Sequence, residues 1–166
     1  LLIGNFVQQM YSTVDSVVVG RYVGDQALSA IGTTLPIINL LLVLFIAVAT
    51  GAGIMVAQYY GAKDKESLSR AVGTALTLGL LSSLIVMAIG LPLASELLTL
   101  TNTPVETFDM ARSYLVIILT GLVGLAFYNM ASGILRGLGN SVFPLLTLLL
   151  TSGLNIVLDI WFVAGL

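Results

Sequence analysis

The chain has no cysteine and no histidine in 166 residues, and its six Lys and Arg and eight Asp and Glu make up only 8% of the sequence. Without cysteine there is no disulfide and no thiol nucleophile, and without either residue there is no Cys/His zinc site in this stretch. Without imidazole, any proton carried here must ride on a carboxylate. The shortage of charge excludes more. A soluble domain covers its core with roughly a quarter charged residues, whereas here 58% of residues are hydrophobic and the mean hydropathy is +1.08. Lipid, not water, is the solvent for most of these side chains. The net charge of −2 points to no charged macromolecule, and no nucleic-acid partner is expected.

Other motifs are missing as well. No basic stretch precedes the first apolar run and no cleavage site follows it, so no signal peptide is read. Gly137-Leu138-Gly139 lacks the strand and third glycine of a dinucleotide loop, and no Walker lysine motif occurs. That favours transport driven by an ion gradient over transport driven by ATP on this chain. Leu1 reads as already inside a helix, and the stretch 160–166 is apolar to its end. The expectation is an internal piece of a longer protein.

What is present is a succession of apolar runs separated by charges and breakers. A hydrocarbon core about 30 Å thick needs ~20 helical residues at about 1.5 Å each. On that basis the sequence divides into five spans, at about 1–20, 32–60, 67–91, 106–135 and 144–166. The fold class expected is all-α: a polytopic transmembrane helix bundle. Lys63, Lys65 and Arg70 follow the second span and Arg136 follows the fourth, while Arg21 and Arg112 on the other side are accompanied by Asp25, Glu96, Glu106 and Asp109. The positive-inside rule makes the Lys-rich loops cytoplasmic, and with them the start of span one. Small residues recur every four positions at Ala49, Gly53, Ala57 and Gly61, at Ala71, Ala75, Gly79 and Ser83, and at Gly133 and Gly137. Such stripes let helices approach closely in lipid, and spans two and three are expected to cross through Gly53, Ala57, Ala75 and Gly79.

Polar residues inside these spans carry the functional signal. On span one, Asn5, Gln8, Gln9, Ser12, Asp15 and Ser16 share a helical face; on span five, Thr147, Thr151, Asn155 and Asp159 form an i, i+4 row. Neither stripe suits acyl chains, because a carboxylate at mid-membrane costs roughly 2.5 kcal/mol or more even on insertion scales. Counting from Arg21 and from Pro144 as boundaries puts Asp15 about 21 Å and Asp159 about 22 Å above the inner surface. Tyr11 and Asn155 match at about 15 to 17 Å. Two acids at one depth form a candidate shared site; the bland alternative is that both are hydrogen-bonded glue between helices.

The run Gln8-Gln9-Met10-Tyr11-Ser12-Thr13-Val14-Asp15, continuing into Val18-Val19-Gly20-Arg21-Tyr22-Val23-Gly24, resembles the first helix of the multidrug and toxic compound extrusion (MATE) family. Val56-Ala57-Gln58-Tyr59-Tyr60-Gly61-Ala62-Lys63 is similar to the end of that family's second helix. Leu135-Arg136-Gly137-Leu138-Gly139-Asn140 with Pro144, and Asn155-Ile156-Val157-Leu158-Asp159, resemble its fourth-to-fifth loop and its fifth helix.

The resemblance implies five spans of a six-helix N-terminal lobe, residues 1–166, of a twelve-helix transporter in the plasma (inner) membrane. It implies a secondary antiporter, not an enzyme, that exports cationic or amphipathic drugs and toxic compounds in exchange for H⁺ or Na⁺. Asp15, Asn155 and Asp159 match the family's proton or cation site, where Na⁺ is the metal ion expected. Tyr11, Tyr114 and Asn129 fall where the family has polar residues lining the lobe cavity. No catalytic residue and no cofactor beyond the coupling ion is implied; the partners are the small-molecule substrate, membrane lipid and the remaining helices of the same chain. Two rivals stand beside it. A lipid-linked oligosaccharide flippase, related at the superfamily level, moves anionic head groups and needs a basic cavity, whereas these spans bury acids. A non-transporting membrane scaffold would use the polar stripes only to hold helices together.

The charge asymmetry yields a test of sidedness. In the full-length protein in intact cells, Asp64→Cys and Asn140→Cys are expected to be protected from a membrane-impermeant thiol reagent, while Asn102→Cys reacts. Labelling in the opposite pattern reverses the orientation.

Overall fold

The computed structural model describes Thr13 and residues 19–164; Tyr11 and Asp15 lie outside the described residues. A short helical stretch, 19–22, ends at Gly24, whose φ of 101° suits glycine and lets the chain turn into the next helix. Helix α1 then runs over Asp25–Gly61, α2 over Lys65–Gly90 and α3 over Ala94–Leu100. Helices α4, Val105–Thr120, and α5, Leu122–Gly137, follow, then α6, Val142–Asp159. Beyond it the chain continues as a π-helical turn, Ile160–Ala164. No strand occurs among the described residues.

Local chemistry sets the boundaries. The second apolar run becomes helical at Asp25, seven positions before 32, because Gly24 makes the turn and Asp25 places a negative charge in the first turn. Pro36 lies inside α1 without ending it. Asp64 caps α2: its carboxylate accepts from the Ser67 amide at 3.1 Å, and that bond holds the Asp64 carboxyl below its ordinary range. Helix α2 stops at Gly90, just before Leu91-Pro92, since proline disfavours helix at the preceding residue. The fourth run is two helices bent by 46°. At the break the Thr120 hydroxyl donates to Ile117 O at 2.7 Å, and the Gly121 amide is shared between Ile117 O and Ile118 O at 3.1 Å each. The last turn of α4 thus tightens and swings the axis.

Helix α5 is the centre of the bundle. A side chain on Gly53 would lie 2.7 Å from Gly133 O, and one on Gly79 would lie 2.6 Å from Met130 Cγ. In the other direction, Gly133 backs onto Ala49 O, and Gly137 onto Gly53 O and Val56. The expectation that spans two and three cross through their own glycines is therefore corrected. Helices α1 and α2 lie side by side, but Gly53 and Gly79 face α5, and Ala57 is exposed. Three helices carry the same four-residue stripe, so periodicity names the small faces without naming which pair meets.

One cluster, with Ala30, Phe45, Leu98, Leu115, Leu119 and Leu122 at its centre, joins α1, α3, α4 and the start of α5. Val56, Ala75 and Ile134 join α1, α2 and α5 nearer the loop after α1. Many large apolar side chains outside these clusters point away from the described bundle: Leu40 is 72% exposed and Leu150 75%. Such apolar surface belongs in lipid. Trp161 and Phe162 stack at 5.2 Å near the end of the last helical stretch. Asp25–Gly61, Lys65–Gly90 and Val142–Phe162 are long and apolar enough to cross a bilayer, and the bent α4–α5 pair makes a further broken span. The chain is a multi-pass membrane protein.

The close approaches rank the glycines. Gly133→Ala and Gly137→Ala drive a methyl group into backbone oxygen, which cannot step aside, and each is expected to destabilise the full-length protein by about 1 to 3 kcal/mol. Gly79→Ala meets only the flexible Met130 and costs less, and Gly73→Ala, with nothing within 4 Å of the added carbon, leaves stability unchanged. Thermal unfolding in detergent checks the order; a Gly73 variant as unstable as the Gly133 variant contradicts it.

Candidate functional site

Helix α6 is attached lightly to the rest of the described bundle. Its buried residues are Pro144 and Ser152, and near its start the Tyr128 hydroxyl of α5 donates to Pro144 O at 3.4 Å. Between these two helices lies a groove of about 260 Å³ lined by Gly124, Tyr128, Ser132, Phe143 and Thr147. Further along α6 the polar residues separate into two groups.

The threonines are spent on their own helix. Thr147 Oγ1 donates to Phe143 O at 3.0 Å, and Thr151 Oγ1 reaches Thr147 O at 2.9 Å and Leu148 O at 3.1 Å. The other group is different. Ser152 Oγ, Asn155 Oδ1 and Asp159 Oδ2 are buried atoms without a hydrogen-bond partner among the described residues. Spacings of three and four residues put them on one helical face. A concavity of about 200 Å³ opens beside Thr151, Ser152 and Asn155. Ser152 is the member that sequence reasoning missed. Beside the regular Thr147, Thr151, Asn155, Asp159 row, the sequence carries the i, i+3, i+7 relation of Ser152 to Asn155 and Asp159 as its signal.

Asp159 is the last α-helical residue before the π turn. A π turn carries one extra residue per hydrogen-bonded ring and is frequent where function perturbs a helix. The three oxygens offer a hard, acceptor-rich surface: a carboxylate, an amide carbonyl and a hydroxyl. Such a set can hold a proton or a hard cation. It does not resemble an anion site.

The remaining predicted residues fall elsewhere. Asn129 is 9% exposed on α5, and its Nδ2 donates to Leu125 O at 2.9 Å, within its own helix. Tyr114 is half-buried on α4 and engaged in an interaction of its own. The structure thus brings together Asn155 and Asp159 with Ser152, while Asn129 turns its amide into α5.

Four of the six cations gather at one end of the bundle. Because Gly137 packs on Gly53 and Val56, the loops after α1 and α5 lie at the same end, and they carry Lys63, Lys65 and Arg136, with Arg70 in the second turn of α2. Asp159 is seventeen residues beyond the start of α6, or about 25 Å along its axis. No basic side chain lies within Val142–Phe162.

The sequence profile of the MatE family matches residues 1–161. Among curated relatives, the Bacillus subtilis (strain 168) protein named a probable multidrug resistance protein, YoeA, is 32% identical over 158 residues, covering 95% of this chain and 34% of the relative. Among solved structures, the crystal structure of MATE in complex with MaD3S superposes with a TM-score of 0.91 at 31% identity, over 98% of this chain and 36% of that one. A transporter of the MOP superfamily from Pyrococcus furiosus, described as having a binding pocket of reversed polarity that suggests a different function, gives 0.90 at 31% identity, over 96% and 35%. The chain spans about a third of the length of these proteins. A helical membrane bundle with an oxygen-rich face on its last helix, matched across nearly its whole length, belongs to the MatE family.

Proposed function

We propose that the chain is part of the N-terminal lobe of a secondary antiporter that exports cationic or amphipathic compounds in exchange for H⁺ or Na⁺. The observation that carries this reading is the buried, acceptor-rich face formed by Ser152, Asn155 and Asp159. YoeA is named for multidrug resistance, which supports export of small molecules; the oxygen-rich, acidic lining supports a coupling cation and a cationic cargo.

In this mechanism Asp159 Oδ2 takes up the coupling ion. A proton binds that oxygen directly and converts it from acceptor to donor. A sodium ion draws instead on Asp159, Asn155 Oδ1 and Ser152 Oγ together. Either event removes the uncompensated charge from the face of α6, so that the face tolerates a drier surrounding. While ionised, it attracts a cationic cargo, and ion uptake releases that attraction. Asp15 and Tyr11 are assigned to the facing helix on the family resemblance. The loops bearing Lys63, Lys65, Arg70 and Arg136 are cytoplasmic in this reading, which places the Asp159 end of α6 in the outer half of the membrane.

The flippase reading is less well supported. Related structures with similar backbones include one whose pocket polarity is reversed, so the fold alone does not choose the cargo. The choice lies in the sign of the lining, and the α6 face is acidic without a base.

In proteoliposomes of the full-length transporter, Asp159→Asn is expected to abolish efflux of a cationic dye under both an imposed pH gradient and an imposed Na⁺ gradient, with folding unchanged. Ser152→Ala removes one ligand and weakens the apparent affinity for the coupling ion by about ten-fold, the range of a hydrogen bond to a charged group. Wild-type pumping by Asp159→Asn under either gradient makes the row structural and sinks the proposal.

A further inference from the structure

Two depressions on the α1–α2 pair meet at one cationic side chain. The first, about 460 Å³, runs between the helices from Tyr59 and Ser67 near their loop to Val48 and Leu78. Those twelve residues of each helix extend about 16 Å. Its lining includes Gly51, Ala52 and Ala71, which are too small to fill it. The second, about 510 Å³, lies along the neighbouring face of α2 and is lined by Gly73 and Thr77. Arg70, Thr74 and Leu78 line both, so this i, i+4 row is the ridge between them and Arg70 stands at its loop end.

The first groove is floored by Ala52 and Ala75 of the α1–α2–α5 cluster and opens outward from the described bundle. Gly53 is the residue of α1 that meets α5, and Gly51 and Met55, two positions to either side, project about 200° round the helix. A side chain added at Gly51 or Gly73 meets nothing within 4 Å. None of the lining residues belongs to α6, so the grooves are separate from the Ser152–Asp159 face.

The head end has the chemistry of an anion site. Arg70 is 77% exposed and pairs with Glu66 one turn before it. An exposed pair of this kind contributes about 0 to 1 kcal/mol, and it occupies one nitrogen of a guanidinium that has five N–H donors. Lys63 and Lys65 flank the same loop, and the Asp64 carboxylate is committed to the Ser67 amide. Over 63–70 three cations therefore stand beside two acids, Asp64 and Glu66.

We propose that these grooves bind one anionic phospholipid, its phosphate at Arg70 and one acyl chain in each groove. Charge complementarity selects the head group, since cationic pockets between helices at the cytoplasmic side favour anionic lipid heads. The paired, mostly apolar depressions on either side of the ridge accommodate two chains rather than one. An ion-pairing drug would match one groove and leave the other open.

Native mass spectrometry of the full-length transporter, purified in detergent with equal phosphatidylglycerol and phosphatidylcholine of identical chains, tests this. The wild type is expected to retain phosphatidylglycerol preferentially. Arg70→Gln lowers that retention about five-fold, the factor for one surface cation, and leaves phosphatidylcholine unchanged. Gly51→Leu and Gly73→Leu each occupy one groove and lower retention of both lipids; either suffices if the other fails to fold. Arg136→Gln, which removes a cation from the same end but outside the grooves, behaves as wild type. Equal retention of the two lipids by the wild type overturns the proposal. So does a loss in Arg136→Gln equal to that in Arg70→Gln, or full retention when a groove is filled.

Discussion

A polar atom buried in hydrocarbon has no water to turn to, and leaving it without a partner costs several kcal/mol. Most buried polar groups among the described residues meet that constraint. Backbone groups are consumed within helices, and the threonines of α6 donate to carbonyls one turn back on their own helix. At the α4–α5 break, where regular helix fails, Thr120 and Gly121 re-satisfy the carbonyls of Ile117 and Ile118. Against this background the oxygens of Ser152, Asn155 and Asp159 stand out because the described residues leave them unanswered. A membrane protein that pairs its polar groups so consistently gives an unpaired acidic face a purpose: it is completed by an ion, a cargo or another helix.

The packing explains how such a face can change partners. Gly53, Gly133 and Gly137 bring α1 and α5 into backbone contact, and Gly79 seats Met130 against α2. Dispersion across these contacts replaces the hydrophobic drive that lipid cannot supply, and it makes α1, α2 and α5 a close-packed unit. Helix α6 joins that unit through a short loop and the Tyr128–Pro144 contact. The Ser152–Asn155–Asp159 face therefore sits on the element least tied to the described bundle.

Much of this was legible in the sequence. Few charges and long apolar runs give a membrane helix bundle, and the period-four glycines mark faces of close contact. The partners of those contacts were not legible, because Gly53, Gly79 and Gly133 lie on stripes of the same period and three-dimensional order decides which meet. The break at Gly121 was hidden inside an unbroken apolar run, where neither charge nor proline signals it. Asn155 and Asp159 were readable from their spacing and from the family resemblance. Ser152 was not, because a serine in an apolar helix normally bonds its own backbone, and only the structure shows its oxygen left over with theirs. Asn129, expected to line the cavity, donates its amide to Leu125 O.

The central claim is that Asp159 is where coupling ion and cationic cargo exclude one another. Binding a lipophilic cation to the purified full-length transporter in weakly buffered solution reads this directly. The wild type is predicted to release protons, or to displace Na⁺ when sodium is the coupling ion, as the cation binds. Asp159→Asn is predicted to release neither. Equal release from the wild type and from Asp159→Asn would contradict the account.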